Sequence, residues 1–92
     1  MKKITINGKE YTLKPIDFGA MCELEELGLD ITNIQKQTFK TVRALASHTM
    51  GVDADVAGKE IQAHIVGGGK IEDLKPLFDN LLESDFFQHI SQ

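Results

Sequence analysis

The segment ITINGKEYTL (residues 4–13) alternates apolar and polar residues on both sides of Asn7-Gly8. This dipeptide is typical of the type I′ turn, which needs a positive φ at both central residues. A two-residue loop pairs Ile6 with Lys9, and the strand alternation then brings four side chains to one face: Ile4, Ile6, Tyr11 and Leu13. An isolated hairpin is marginal in water, so the rest of the chain must cover this face.

The remaining pattern is helical. Asp17 and Asp53 are suited to cap helix N-termini, and Gly28 is suited to end the first helix. Pro76 fits only the first turn of the last helix. Apolar residues recur at helical spacing, with Phe39 at the margin of the inner face of the second helix and Ile65 on the inner face of the third. We therefore predict an α+β, mainly helical fold, an N-terminal β-hairpin followed by about four α-helices in one small domain, with the hairpin at 1–14 and helices at 17–27, 33–50, 53–66 and 72–88.

A run of three glycines, Gly67, Gly68 and Gly69, precedes Lys70 and resembles a phosphate-binding loop. The Walker pattern requires glycine at residue 64 and serine or threonine at residue 71, but these are His64 and Ile71. The segment before the glycines is also predicted to be helix rather than strand. We therefore interpret 67–69 as the stop of the third helix and a glycine hinge into the fourth.

No other motif predicts catalysis, a cofactor or a metal. A calcium-loop pattern that begins at Asp53 fails because Ala57 and His64 stand where oxygen ligands are needed. The three histidines have no paired spacing, and Cys22 is the only cysteine, as expected in a reducing compartment. No apolar run is long enough to span a bilayer, and we expect no signal peptide. The chain is predicted not to be an enzyme, and to be cytoplasmic.

The charge is uneven along the chain. The formal net charge is −4, with a balance of +1 in residues 1–50 and −5 in residues 51–92, and this net charge disfavours nucleic acid as a partner. Lys36, Lys40 and Arg43 nevertheless share one face of the second helix. This face is a solvated exterior or a contact for an acidic partner, and a contact for nucleic acid is a further alternative.

The C-terminal region is rich in apolar residues. If the hinge lets the last helix swing away, a groove lined by four residues would be exposed to bind a partner: Leu74, Leu77, Phe78 and Leu81. The tail beyond it, with Phe86, Phe87 and Ile90, either folds back over the core or offers an apolar patch to another chain.

The order of motifs resembles a known family. The start MKKITINGKEYTLKP, the helix end ELEELGLD and the late segment GGGKIEDLKPLFDNLLESD together resemble the small tail assembly chaperones of long-tailed (siphovirus-type) bacteriophages and prophages. The likeness extends over essentially the whole chain. None of its motifs is catalytic.

The resemblance implies a non-enzymatic role in virion morphogenesis. Such chaperones bind the tape measure protein in the bacterial host cytoplasm, keep it soluble until tail tube protein polymerises around it, and are absent from the finished virion. It also implies self-association along the client, and the tail tube protein as a further partner of a frameshifted longer form. Two alternatives stay open: a small regulatory nucleic-acid-binding module, and a structural tail component.

Overall fold

The computed structural model describes residues 2–33, 36 and 38–90. For Asn33 and Ile90 it describes the backbone but not the side chain. Within these residues, a two-stranded antiparallel sheet is followed by helices, so the predicted mainly helical α+β fold is confirmed. The elements are β1 (Lys3–Ile6), β2 (Lys9–Thr12), α1 (Phe18–Glu26), α2 (Thr38–Met50), α3 (Ala54–Val66), α4 (Lys75–Leu82) and α5 (Asp85–Ile90), with 3₁₀ turns at Ile31–Asn33 and Ile71–Leu74.

The hairpin has the predicted register. Ile6 pairs with Lys9 and Ile4 with Tyr11. Asn7 and Gly8 have φ values of 51° and 79°, as a type I′ turn requires. The apolar face lies on the helices, with Ile4 and Ile6 buried. The side-chain alternation therefore fixes which face of the sheet enters the core.

The helix caps predicted from the sequence are present. The carboxylate of Asp17 accepts the backbone N–H of Ala20 at 2.8 Å, and that of Asp53 accepts the N–H of Val56 at 2.9 Å. Gly28 follows α1 with a φ of 101°, in the left-handed region that ends many helices. These contacts fix where α1 and α3 begin and where α1 ends.

Helix α2 begins later than predicted. The sequence pattern suggested a start at residue 33, whereas a 3₁₀ turn occupies Ile31–Asn33 and α2 begins at Thr38. Asp30 accounts for the turn, because its carboxylate accepts both the backbone N–H and the hydroxyl of Thr32, at 3.0 and 2.7 Å. Residues 34, 35 and 37 lie outside the described part of the chain.

The predicted helix at 72–88 is divided into the second 3₁₀ turn, α4 and α5. Pro76 lies in the first turn of α4, as predicted. The break lies at Ser84, whose hydroxyl donates to the carbonyl of Leu81 at 2.8 Å and accepts the N–H of Phe87 at 3.2 Å. One side chain thus ends α4 and caps α5, which a periodicity argument does not detect.

Helix α2 is the centre of the molecule. It packs against α1, α3, α4 and β2, so its residues are buried nearly all round from Thr41 to Thr49, except at Arg43. Helix α3 lies at the edge instead and buries only Ala57 fully. Ile65, predicted to face inward, is 39% exposed because no element covers that side of α3 among the described residues.

Candidate binding groove

The apolar residues predicted to line a partner groove belong to the core or pack against it. Leu74, Leu77 and Leu81 are completely buried, and Phe78 packs against them from the rim. Burying a large aliphatic side chain contributes about 1.5–3 kcal/mol to folding, which explains why α4 lies on the sheet and α2. In this conformation these four residues form no exposed groove.

The aromatic tail folds back over the core, which was one of the two predicted outcomes. Phe86 and Phe87 are half-buried against the core. The ring of Phe86 meets that of Phe18 edge to face, with centroids 5.6 Å apart and an interplanar angle of 88°. This is a favoured aromatic geometry. The side chain of Ile90, also predicted as a partner contact, lies outside the described part of the chain.

The three glycines form a packed turn. The N–H of Gly68 donates to the carbonyl of Ile65, and that of Gly69 to the carbonyl of His64, at 3.1 and 2.9 Å. With a φ of 105° at Gly68, this is the Schellman ending of a helix. A Cβ on Gly69 would lie 2.5 Å from ring atoms of His64, so Gly69 is needed for close approach. These contacts account for two of the three glycines without a hinge.

His64 ties this turn to the hairpin. Its Nδ1 accepts the backbone N–H of Asn7 at 2.9 Å, so this nitrogen carries no proton. Nε2 then carries the proton and donates to Asp73 Oδ2 at 2.9 Å. The backbone N–H of Lys70, 3.0 Å from the same oxygen, and secondly the His64 ring lower the pKa of the Asp73 carboxyl below its usual 3.8. The network links the β-turn, α3 and the second 3₁₀ turn.

An open groove lies between α2 and α3. It has a volume of about 420 Å³, and we call it the α2–α3 groove. Its described lining is Phe39, Lys40, Val42 and Arg43 from α2, Gly58 and Ile61 from α3, and Ile71 from the second 3₁₀ turn.

Phe39 is the feature that sets the groove apart. The residue is 81% exposed, and Ile71 from the second 3₁₀ turn is 38% exposed. An exposed aromatic side chain is a large apolar surface that association with another molecule would remove from water. From the sequence, Phe39 was predicted only at the margin of an inner face, and Gly58, Ile61 and Ile71 were not predicted as site residues. The spacing of Phe39 and Arg43, one helical turn apart, was the available signal for part of this site.

The predicted basic face borders the same groove. Lys40 and Arg43 line it, whereas Lys36 is exposed ahead of α2 and is not among the described lining residues. In the described part of the chain, neither Lys40 nor Arg43 forms an ion pair. Arg43 Nε is covered yet has no hydrogen-bond partner, and Cδ of Arg43 would lie 3.4 Å from a Cβ at Gly58. Packing rather than pairing therefore holds this guanidinium at the groove.

The described residues give few other candidates for chemistry. No group of three or more histidine, cysteine or acidic side chains among them is arranged to hold a metal ion. Across the same ranges, every helix is too short or too polar to cross a membrane. A separate open depression on α3 is lined by Lys59, Gln62, Ala63 and Val66, the last 79% exposed.

Comparison of the chain with protein-family models, curated proteins and solved structures finds no significant match. The resemblance to tail assembly chaperones therefore rests on the order of motifs in the sequence.

Proposed function

We propose that this protein is a non-enzymatic tail assembly chaperone of a long-tailed bacteriophage or prophage. It binds the tape measure protein in the host cytoplasm, keeps it soluble during tail morphogenesis, and is left out of the finished virion. The observation that carries the proposal is the exposed Phe39 beside the α2–α3 groove. The order of the sequence motifs supports the identity of the client.

The shape and chemistry of the groove suit reversible binding of many copies of this chain along one client. A helical client with an apolar stripe can lie in a groove between helices without sequence-specific hydrogen bonds. Many modest contacts along one long client add up, because each neighbouring contact acts at a high effective concentration. Each contact is still weak enough for tail tube protein to displace it. The buried Leu74, Leu77 and Leu81 are not required for this binding mode.

Co-expression with the tape measure protein of the same phage or prophage tests the proposal. We expect the client to be soluble only in the presence of this chain and to co-purify with many copies of it. Mass spectrometry of finished particles should then detect the client without the chaperone. If the client precipitates regardless while this chain elutes alone from a sizing column, the chaperone function is wrong. Detection of this chain in particles would favour a structural tail component instead.

A further inference from the structure

The α2–α3 groove has chemistry that specifies its occupant more closely than "apolar client". Its most exposed apolar residue is Phe39, and Ile61 and Ile71 from the neighbouring elements complete the apolar lining. Large aromatic side chains set beside a pocket are the residues that most often dominate binding energy at protein interfaces. An occupant must therefore present apolar side chains that cover this ring.

The charged residues of the groove are all of one sign. Lys40 and Arg43 are the only charged side chains in its described lining, and neither has an acidic partner among the described residues. The stem of Lys40 packs near Gly28, where its Cε would lie 3.2 Å from a Cβ, and that of Arg43 packs over Gly58. Packing of both stems reduces the side-chain entropy lost when a carboxylate binds. Charge complementarity therefore selects an acidic partner.

The backbone of the two helices that form the groove favours a helical occupant over an extended one. Its walls are two α-helices whose interior N–H and C=O groups bond within each helix, so they offer no free edge to an extended peptide. An extended segment would leave its own backbone groups without partners when it displaces water from Phe39. A helix satisfies its own backbone and presents apolar and charged side chains one turn apart. This spacing of the bound helix matches that of Phe39 and Arg43, which are also one turn apart.

We propose that the α2–α3 groove binds one acidic amphipathic helix of the client. Leucine-type residues of that helix cover Phe39, and glutamates or aspartates flanking its apolar stripe pair with Lys40 and Arg43. This inference rests on the proposed function for the identity of the client, but the chemistry of the groove can be tested without it.

Two synthetic peptides of about 18 residues, long enough for appreciable helicity, provide the test. Both carry leucines at i, i+3, i+4 and i+7 spacing, and they differ only in having glutamate or lysine at the flanking positions. Fluorescence anisotropy with the full chain should show binding of the glutamate peptide. The lysine peptide should bind about tenfold more weakly or worse, which corresponds to roughly 1.4 kcal/mol. Added salt should reduce this preference.

Variants of the chain locate the binding site. Phe39→Ala should reduce the affinity for the glutamate peptide by about tenfold or more, as expected for a central aromatic anchor. The double variant Lys40→Glu with Arg43→Glu should reverse the preference and bind the lysine peptide instead. Such a gain of binding cannot result from misfolding. Lys59→Glu and Val66→Ala, at the separate depression on α3, are the matched controls and should change neither affinity.

Several outcomes would overturn the inference. Equal affinity for both peptides, an unchanged Phe39→Ala variant, or a double variant without reversed preference would each do so. Salt-sensitive binding of a single-stranded oligonucleotide in place of the peptide would assign the groove to nucleic acid. A shift in the sizing-column elution of the double variant, without peptide binding by the parent chain, would make the groove a contact between copies.

Co-expression separates this inference from the proposed function. If the Phe39→Ala variant solubilises the client as well as the parent chain does, the chaperone function stands and this site assignment fails. If the glutamate peptide binds as expected but the client still precipitates, the site assignment stands and the chaperone function fails.

Discussion

Gly69 lies so close to the His64 ring that a larger residue would displace one of them. A Cβ at this position would be 2.5 Å from the ring and 2.7 Å from the carbonyl oxygen of His64, and the latter belongs to backbone that cannot rotate away. The same ring holds the N–H of Asn7, so a displacement would also disturb the β-turn. A single glycine therefore supports a network that reaches the first strand.

We expect Gly69→Ala to destabilise the fold by about 1–3 kcal/mol, the usual cost of overpacking. Gly19→Ala is the matched control, because a Cβ there meets only Asp17 Oδ1 at an ordinary 3.6 Å in the first turn of α1. It should change stability by less than about 1 kcal/mol. Urea unfolding followed by circular dichroism measures both. If the two variants were equally stable, the close packing at Gly69 would not matter to the fold. Replacement of all three glycines together would mix this clash with any effect on motion, so it does not isolate a hinge.

At the scale of elements, helix α3 depends on local contacts more than the other long helix does. It buries only Ala57 fully, whereas α2 is buried nearly all round. Its N-terminus is fixed by the carboxylate of Asp53, and its C-terminus by the turn at Gly68 and Gly69. Because α3 supplies one wall of the α2–α3 groove, its caps also help to position the binding surface.

Asp53→Ala should cost about 1 kcal/mol of stability, the typical value of an N-cap. Asp53→Asn is the matched control, since its side-chain oxygen still accepts the N–H of Val56 and should retain most of the stability. Chemical denaturation of the three proteins gives the comparison. Equal losses in both variants would mean that charge rather than capping is the contribution of Asp53. No loss in either would show that packing alone fixes the start of α3.

The whole molecule is joined across its edge by the His64–Asp73 network. This network connects the β-turn near the N-terminus to α3 and the second 3₁₀ turn, which are neighbours in the sequence, while most of the core is formed by the hairpin, α1, α2 and α4. The hydrogen bonds of the network lower the pKa of the Asp73 carboxyl, so the stability of the fold depends on pH. The groups that face His64 are the Asp73 carboxylate and the N–H of Asn7, and the Asn7 side chain donates in turn to Glu60 at 2.9 Å.

Asp73→Ala should lower the melting temperature at neutral pH, and the difference from the parent chain should shrink in acid. The lowered pKa of Asp73 means that its carboxylate stabilises the fold above the unfolded-state value of about 3.8. That contribution is lost as the pH falls through the lower, folded-state pKa. Glu72→Ala, next to it and exposed, is the control and should show no such trend. Thermal melts over a pH series measure the effect, and a difference that stays constant into acid would contradict it.

Much of the local structure could be predicted from the sequence. The Asn7-Gly8 turn, the hairpin register and the caps at Asp17 and Asp53 follow from bonds between near neighbours, so neighbouring residues suffice to specify them. The division of the last helix at Ser84 was missed because one hydroxyl performs two roles that leave the apolar spacing unchanged. The late start of α2 was missed for a related reason, since the Asp30 turn competes locally with the helix.

The candidate site, too, could be predicted from the sequence only in part. The residue spacing alone predicts that Lys40 and Arg43 share a face and that the C-terminal leucines form an apolar stripe. Packing between distant elements buries the stripe in the core and leaves Phe39 exposed beside those cations. Helical spacing fixes which residues lie on one face of an element, because that geometry is local. It does not fix which faces are covered, because coverage depends on how distant elements pack around α2.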